Sequence, residues 1–205
     1  PGDAEAHPIR VLAYDPAEKR LWDLFGGLED LAAGRLRAVG DPVARFHEDA
    51  LRPVRLARLA ATLEMEPDRA AREAMATAAG RATRVAAERV RAEFEKLMTA
   101  PAPSRGWELL RAAGLLDLWM PELTRGFGVT QNRHHAWDVW DHSLHTCDAA
   151  PDGKPVVRWA ALLHDIGKVD TRVVREGEPT FYGHERVGAR APAPRGSSSC
   201  ASSRS

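Results

Sequence analysis

The stretch Val156–Lys168, VVRWAALLHDIGK, constrains this chain more than any other. Val156, Trp159, Ala160, Leu163 and Gly167 recur at helical spacing, which predicts one buried helix face. The apolar run then turns abruptly polar at His164 and Asp165. Gly167 reads as the helix stop, with Lys168 after it. An imidazole beside a carboxylate suits a divalent ion if other elements add ligands. A helix end whose His and Asp merely cap or solvate is the competing explanation. Four histidines shortly upstream, His134, His135, His142 and His145, weigh towards the metal.

Two of these lie on a patterned helix. Over Trp137–Cys147, Trp137, Trp140, Leu144 and Cys147 fall on one face at helical spacing, with Asp138, His142 and His145 nearly opposite. That predicts an apolar seam and an acid–histidine seam. Taken alone, His145 fits a solvated polar face equally well.

The chain before this point reads as helical from Asp41 to about Met98. Pro42 suits an early helical position after Asp41. Val54, Ala57 and Ala61 form an apolar stripe, and Pro53 within it conflicts with an uninterrupted helix. Pro67 reads as the start of the next helix, Gly80 as its end, and Arg84–Met98 as a third. Pro101 and Pro103 read as a linker, Trp107–Ala113 as a short helix closed by Gly114, and Leu115–Met120 as another. Ahead of Asp41, the runs Ile9–Tyr14 and Arg20–Phe25 flank Asp15-Pro16, which predicts a β-hairpin. Gly26-Gly27 then breaks the second run before a short helix, Leu28–Ala33. The fold class is mainly α, with a small hairpin at the N-terminal side. Beyond Gly188 the periodicity ends, and the serine- and proline-rich residues 191–205 read as disordered, with the composition of a shifted reading frame.

Composition excludes little. The 205 residues carry 29 basic and 29 acidic side chains, so net charge offers no argument for nucleic acid. All but four of the basic residues are Arg, which suits phosphate and base edges, although coding bias would also produce it. No apolar run reaches a membrane span of about 18 residues. Two cysteines, Cys147 and Cys200, give no disulfide framework, and a reduced cytoplasmic setting is expected.

In order along the chain, these motifs resemble a bacterial CCA-adding enzyme, a tRNA nucleotidyltransferase of the poly(A) polymerase family with a C-terminal HD domain. Leu12–Pro16 (LAYDP) is similar to the end of the second head motif, and Asp23–Leu31 (DLFGGLEDL) to the motif joining head to neck. Arg45–Met65 (RFHEDALRPVRLARLAATLEM) resembles the nucleotide-selecting motif, and Glu88–Met98 (ERVRAEFEKLM) the next neck motif. Gly114–Leu123 (GLLDLWMPEL) and the His-rich stretch resemble the approach to the HD domain.

The resemblance implies a head remnant over 1–40, a helical neck over 41–125, and an HD domain over 126–190 that is cut short before the tail. It implies transfer of a nucleotide from CTP or ATP to a tRNA 3′ end. Asp49 and Arg52 would select the base, and Arg55 and Arg58 would support that site or contact triphosphate; a solvated helical face explains the latter two as well. It also implies His142, His164 and Asp165 as ligands of a divalent metal (Mg, Mn, Ni or another transition ion), with His184 standing in for a missing last Asp. His135 matches the family spacing too. The head itself would need a Gly-rich turn and an Asp-x-Asp pair holding two magnesium ions. Neither occurs here, and AEAHPI stands where an Arg and an Asp are expected, so no catalytic carboxylate is assigned. An HD-type metal phosphohydrolase and a non-catalytic RNA-binding remnant are the alternatives.

Overall fold

The computed structural model describes residues 12–131, 136–175 and 177–190. The expectations for 191–205, for His134 and for His135 lie outside them. The hairpin forms as expected. Strands β1 (Leu12–Asp15) and β2 (Arg20–Asp23) pair antiparallel, with Asp15 opposite Arg20. Asp15 closes the turn by accepting from the N–H groups of Ala17 and Glu18. Gly26, at φ 75°, turns the chain into α1 (Gly27–Ala32), whose first N–H groups are capped by Asp23.

The middle of the chain is a helical stack. Helix α2 (Pro42–Glu48) starts at Asp41, whose side chain accepts from Val43 and Ala44 N–H. Helix α3 runs from Arg52 to Leu63. Pro53 lies in its first turn, where no N–H partner is lost, so the conflict expected from a longer helix disappears. Pro67 does not start a helix. With Glu66 it forms β4, paired parallel to β3 (Arg35–Leu36), and Asp68 then caps α4 (Arg69–Thr77) through the N–H of Ala71. Gly80 sits inside a short α5 (Ala79–Ala82) rather than ending α4. Helix α6 spans Ala87–Leu97. Pro103 is no linker residue but the first turn of α7 (Pro103–Ala112), which Gly114 follows at φ 67°. Leu116–Leu118 is a 3-10 turn leading to α8 (Pro121–Thr124).

The core lies where α3, α6, α7 and α9 (Val139–Ala149) meet. Val54, Ala57, Leu97, Met98, Trp107, Leu110, Trp140, Cys147 and Leu162 belong to one buried cluster. Each large side chain there contributes about 1.5–3 kcal/mol through burial. Burial also pushes the Cys147 thiol up to about 12, so at neutral pH it is a packing group and not a nucleophile. Gly106 lets α7 approach α3 closely: a Cβ there would stand 2.5 Å from Leu97 Cδ1 and 3.0 Å from the Ala57 carbonyl.

Two expected faces differ. In α10 (Pro155–Leu163) the buried stripe is Arg158 and Leu162, while Val156 is 79% exposed and Ala160 also faces out. The cause is Arg158, which turns inward to reach backbone carbonyls, and Leu162 follows it one turn on. Trp137 leaves the expected apolar seam because Asp138 caps α9 by accepting from Asp141 N–H. Trp137 therefore precedes the helix, where helical periodicity does not apply, and its ring stacks 4.3 Å from that of His145. The chain continues through α11 (Lys168–Thr171), the hairpin β5 (Val173–Arg175) and β6 (Glu178–Thr180), and α12 (His184–Gly188). Among the described residues, no helix is long and apolar enough to cross a membrane.

Candidate functional site

Two groups of polar side chains stand out, one at the α2–α3 turn and one at the end of α10.

At the first, Asp49 and Arg52 do not share a helix face as their three-residue spacing predicts. Asp49 is the extended residue that ends α2, and Arg52 opens α3. Asp49 Oδ1 accepts from Leu51 N–H at 3.0 Å, and Oδ2 accepts from Arg89 Nη2 at 3.0 Å. Burial works to raise the Asp49 carboxyl, but the Leu51 N–H and the Arg89 charge outweigh it and hold the group below the usual carboxylate range. Arg52 Nη1 donates to Glu48 Oε2 at 2.8 Å and to the Arg45 carbonyl at 3.0 Å. Arg45 also pairs with Glu48. Arg55 and Arg58, one turn apart on α3, both face the buried Glu93 of α6, at 3.5 and 2.6 Å. They are thus not a merely solvated face. A cleft beside this turn is lined by Ala38, Val39, Arg45, Phe46, Arg52, Arg55, Leu56 and Ala71. Arg52 and Arg55 line it; Asp49 and Arg58 stand outside its lining.

Glu93 and Arg89 are absent from the residues picked out of the sequence. They lie four apart on one helix, but that spacing does not show what they face.

At the second group, His142 of α9 and His164 and Asp165 after α10 offer ligand atoms that all lie within 4.8 Å of one another. His164 Nε2 is 3.0 Å and His142 Nε2 3.4 Å from Asp165 Oδ2. His184 also arrives, its Nε2 3.4 Å from Asp165 Oδ1. The other ring nitrogens of His164 and His184 donate to the carbonyls of Ala161 and Phe181, which aims each Nε2 at the carboxylate. Pairing with Asp165 raises the His164 imidazole above its ordinary value. Burial works against the Asp165 charge, but His164 and Lys168 outweigh it and hold the carboxyl well below the usual range.

Asp165 Oδ2 is buried among His142 Nε2, His164 Nε2 and Lys168 Nζ. The two imidazoles and the carboxylate that converge there are a donor set that fits a divalent cation. Lys168 was not foreseen as part of this group. Its Nζ lies 2.7 Å from Asp165 Oδ2 and donates to Gln131 Oε1 at 2.6 Å. Gln131 in turn donates to the carbonyls of Trp137 and Asp138 ahead of α9. Gly167, expected as a helix stop, is instead a point of contact with α12 at a helical φ of −79°.

Family matches cover the helices after the α2–α3 turn and the histidine cluster. Residues 64–127 match the family described as "Probable RNA and SrmB- binding site of polymerase A", and residues 133–198 match the HD domain family. The A-adding tRNA nucleotidyltransferase of Deinococcus radiodurans is 42% identical over 182 residues, covering 83% of this chain and 42% of that protein. The multifunctional CCA protein of Halorhodospira halophila is 40% identical over 189 residues, 88% of this chain and 44% of that one. The chain belongs to the CCA-adding enzyme family. It spans less than half the length of these curated relatives. The Bacillus stearothermophilus CCA-adding enzyme, solved in complex with CTP, superposes with a TM-score of 0.50 at 31% identity, over 53% of this chain and 27% of that one.

Proposed function

We propose that this chain is the base-selecting neck and the HD region of a tRNA nucleotidyltransferase that moves CMP or AMP from CTP or ATP to a tRNA 3′ end. The neck comprises residues 41–125 and the HD region 126–190. What carries the reading is the α2–α3 turn, where Asp49 is held as an ionised acceptor beside the Arg52–Arg55 cleft. An ionised carboxylate accepts from the exocyclic amine that cytosine and adenine both carry, and an arginine donates to the adjacent ring acceptor. Uracil and guanine present an acceptor where the amine would be. A buried acceptor facing an acceptor costs about 1–3 kcal/mol, roughly tenfold to a hundredfold in preference. Two-metal carboxylates for phosphoryl transfer are not among the motifs of this sequence, so selection and not catalysis is assigned to these residues.

Asp49→Asn tests this. The asparagine carbonyl can still accept from Leu51 N–H, while its amide replaces the oxygen that accepts from Arg89 and presents donors in its place. Equilibrium binding should show CTP and ATP preferred over UTP and GTP in the wild type, with that preference lost or inverted in the variant. Equal binding of all four nucleotides by the wild type, or an unchanged preference in Asp49→Asn, would remove the reading.

In the HD region, His142, His164, Asp165 and His184 would hold a divalent ion such as Mg, Mn or Ni. The ion would supply a Lewis acid for a phosphate ester. The residues' own part is to bring the Nε2 atoms of His142 and His164 to Asp165 Oδ2, with that of His184 at Oδ1. Lys168 places a positive charge beside Asp165 and opposes the cation. Binding should therefore be weak: after desalting, well under one ion per chain, with His142→Ala removing what remains. Stoichiometric metal that resists a chelator would contradict this geometry.

A further inference from the structure

We infer that the indole of Trp137 is a base-stacking subsite beside the histidine cluster, so that the phosphate ester taken there is one that carries a nucleobase. The inference rests on the reading of His142, His164, Asp165 and His184 as a metal site for a phosphate ester.

Trp137 is 47% exposed, yet it is firmly placed. Its ring lies 4.3 Å from the exposed ring of His145, with 31° between the planes. Two separate connections hold this pair beside the cluster. Along α9, His145 stands one turn after His142, and side chains three apart on a helix are neighbours, about 5–6 Å between Cβ atoms. Through its backbone, the Trp137 carbonyl accepts from Gln131 Nε2 at 3.2 Å. Gln131 Oε1 accepts from Lys168 Nζ at 2.6 Å, and that ammonium lies 2.7 Å from Asp165 Oδ2. Gln131 and Lys168 are both buried, so the link is shielded from water. Asp138, the next residue, is tied down as well, accepting from the N–H groups of Gly128 and Asp141.

Packing does not account for an indole in this position, because the exposed part of its surface gains nothing from burial. Two other half-open rings are covered by a guanidinium: Arg20 stands 3.9 Å over Trp22, and Arg111 3.7 Å over Phe127. Trp137 is backed by an imidazole instead, which leaves a flat aromatic surface beside the cluster. Every nucleobase has a π-face that such a surface can stack on. The phosphate of the same molecule would sit at the cluster, where the Lys168 charge favours an anion. A nucleotide separates base from phosphate by one sugar, which matches two subsites one helical turn apart.

The test is equilibrium binding of GMP and of ribose 5-phosphate to the full chain, with excess Mn and again with a chelator. The two ligands share sugar and phosphate and differ by the base. Guanine is chosen because the neck turn rejects it on the reading above, so GMP reports on the cluster. In Mn, GMP should bind about tenfold tighter than ribose 5-phosphate. Trp137→Ala should remove that advantage and leave ribose 5-phosphate binding, Mn affinity and the melting curve unchanged. Trp137→Phe should keep most of it, and His142→Ala should abolish the Mn-dependent binding of both ligands. Equal affinity of the two ligands in the wild type, or a GMP advantage that survives Trp137→Ala, would overturn the subsite and leave the metal-site reading standing. So would parallel losses of both ligands in Trp137→Ala, which would make the indole a support of the cluster only. GMP binding that survives His142→Ala would place the base elsewhere and also overturn the subsite. No Mn-dependent binding of either ligand would remove the metal-site reading, and the subsite with it.

Discussion

Replacing Arg158 by methionine should lower the stability of the fold by about 3–5 kcal/mol. Arg158 is fully buried on α10. Its Nη1 donates to the carbonyls of Met98 and Ala100, which follow α6, and its Nε to that of Ala150 at the end of α9. Its Nη2 pairs with Asp152. The carbonyls of Met98 and Ala100 belong to buried residues, and without the guanidinium they lose their partner in a dry interior. Methionine refills part of the volume but cannot donate. Asp152 is the control: its side chain is 89% exposed, so Asp152→Ala should cost about 1 kcal/mol or less. Urea unfolding of both variants measures this. If the two substitutions cost the same, the ion pair matters and the carbonyl caps do not. Because α10 ends at His164 and Asp165, Arg158→Met should also loosen the histidine cluster.

Arg158 marks the limit of what could be read from the residues alone. Periodicity located α10 but placed the wrong stripe inward, because an arginine counts as polar in any hydropathy pattern. Its burial depends on carbonyl groups sixty residues earlier, which local pattern does not encode. The same reason explains Glu93 and Arg89: the helix was legible, but its partners across the neck were not. Features decided within a few residues fared better. The Asp15 turn, the Asp41 cap and the mainly helical fold were legible because their hydrogen bonds close locally. The metal-type cluster was legible too, since His142, His164, Asp165 and His184 carry a chemistry that few residue types offer. Lys168 was hidden by its name: a lysine is expected outside, and only the contact with Gln131 and Asp165 shows why it is buried.

The other large effect belongs to Gly167. Its backbone is ordinary, so conformational freedom does not explain a glycine there. Space does. A Cβ at this position would stand 2.5 Å from Gly188 N and closer still to the His184 carbonyl oxygen. Both are backbone atoms of α12 and cannot rotate away, so Gly167→Ala must push the helix outward. Overpacking of this kind costs about 1–3 kcal/mol, and the cost falls on the α11–α12 contact. The functional consequence is larger than the energetic one. His184 rides on α12, and its Nε2 reaches the Asp165 carboxylate only while that helix is seated. Disturbing the alignment of a ligand set typically costs about 10–100-fold in metal affinity. We therefore expect Gly167→Ala to weaken Mn or Ni binding by that factor, measured by competition with a chromogenic chelator. Adding His184→Ala to it should cause little further loss, because both changes remove the same ligand. Gly188→Ala is the milder change at the same contact, since its Cβ would meet the Ile166 side chain at 3.2 Å and Gly167 N at 3.3 Å, where a small shift suffices. Wild-type metal affinity in Gly167→Ala would show that α12 does not position a ligand and that His184 stands beside the cluster without joining it.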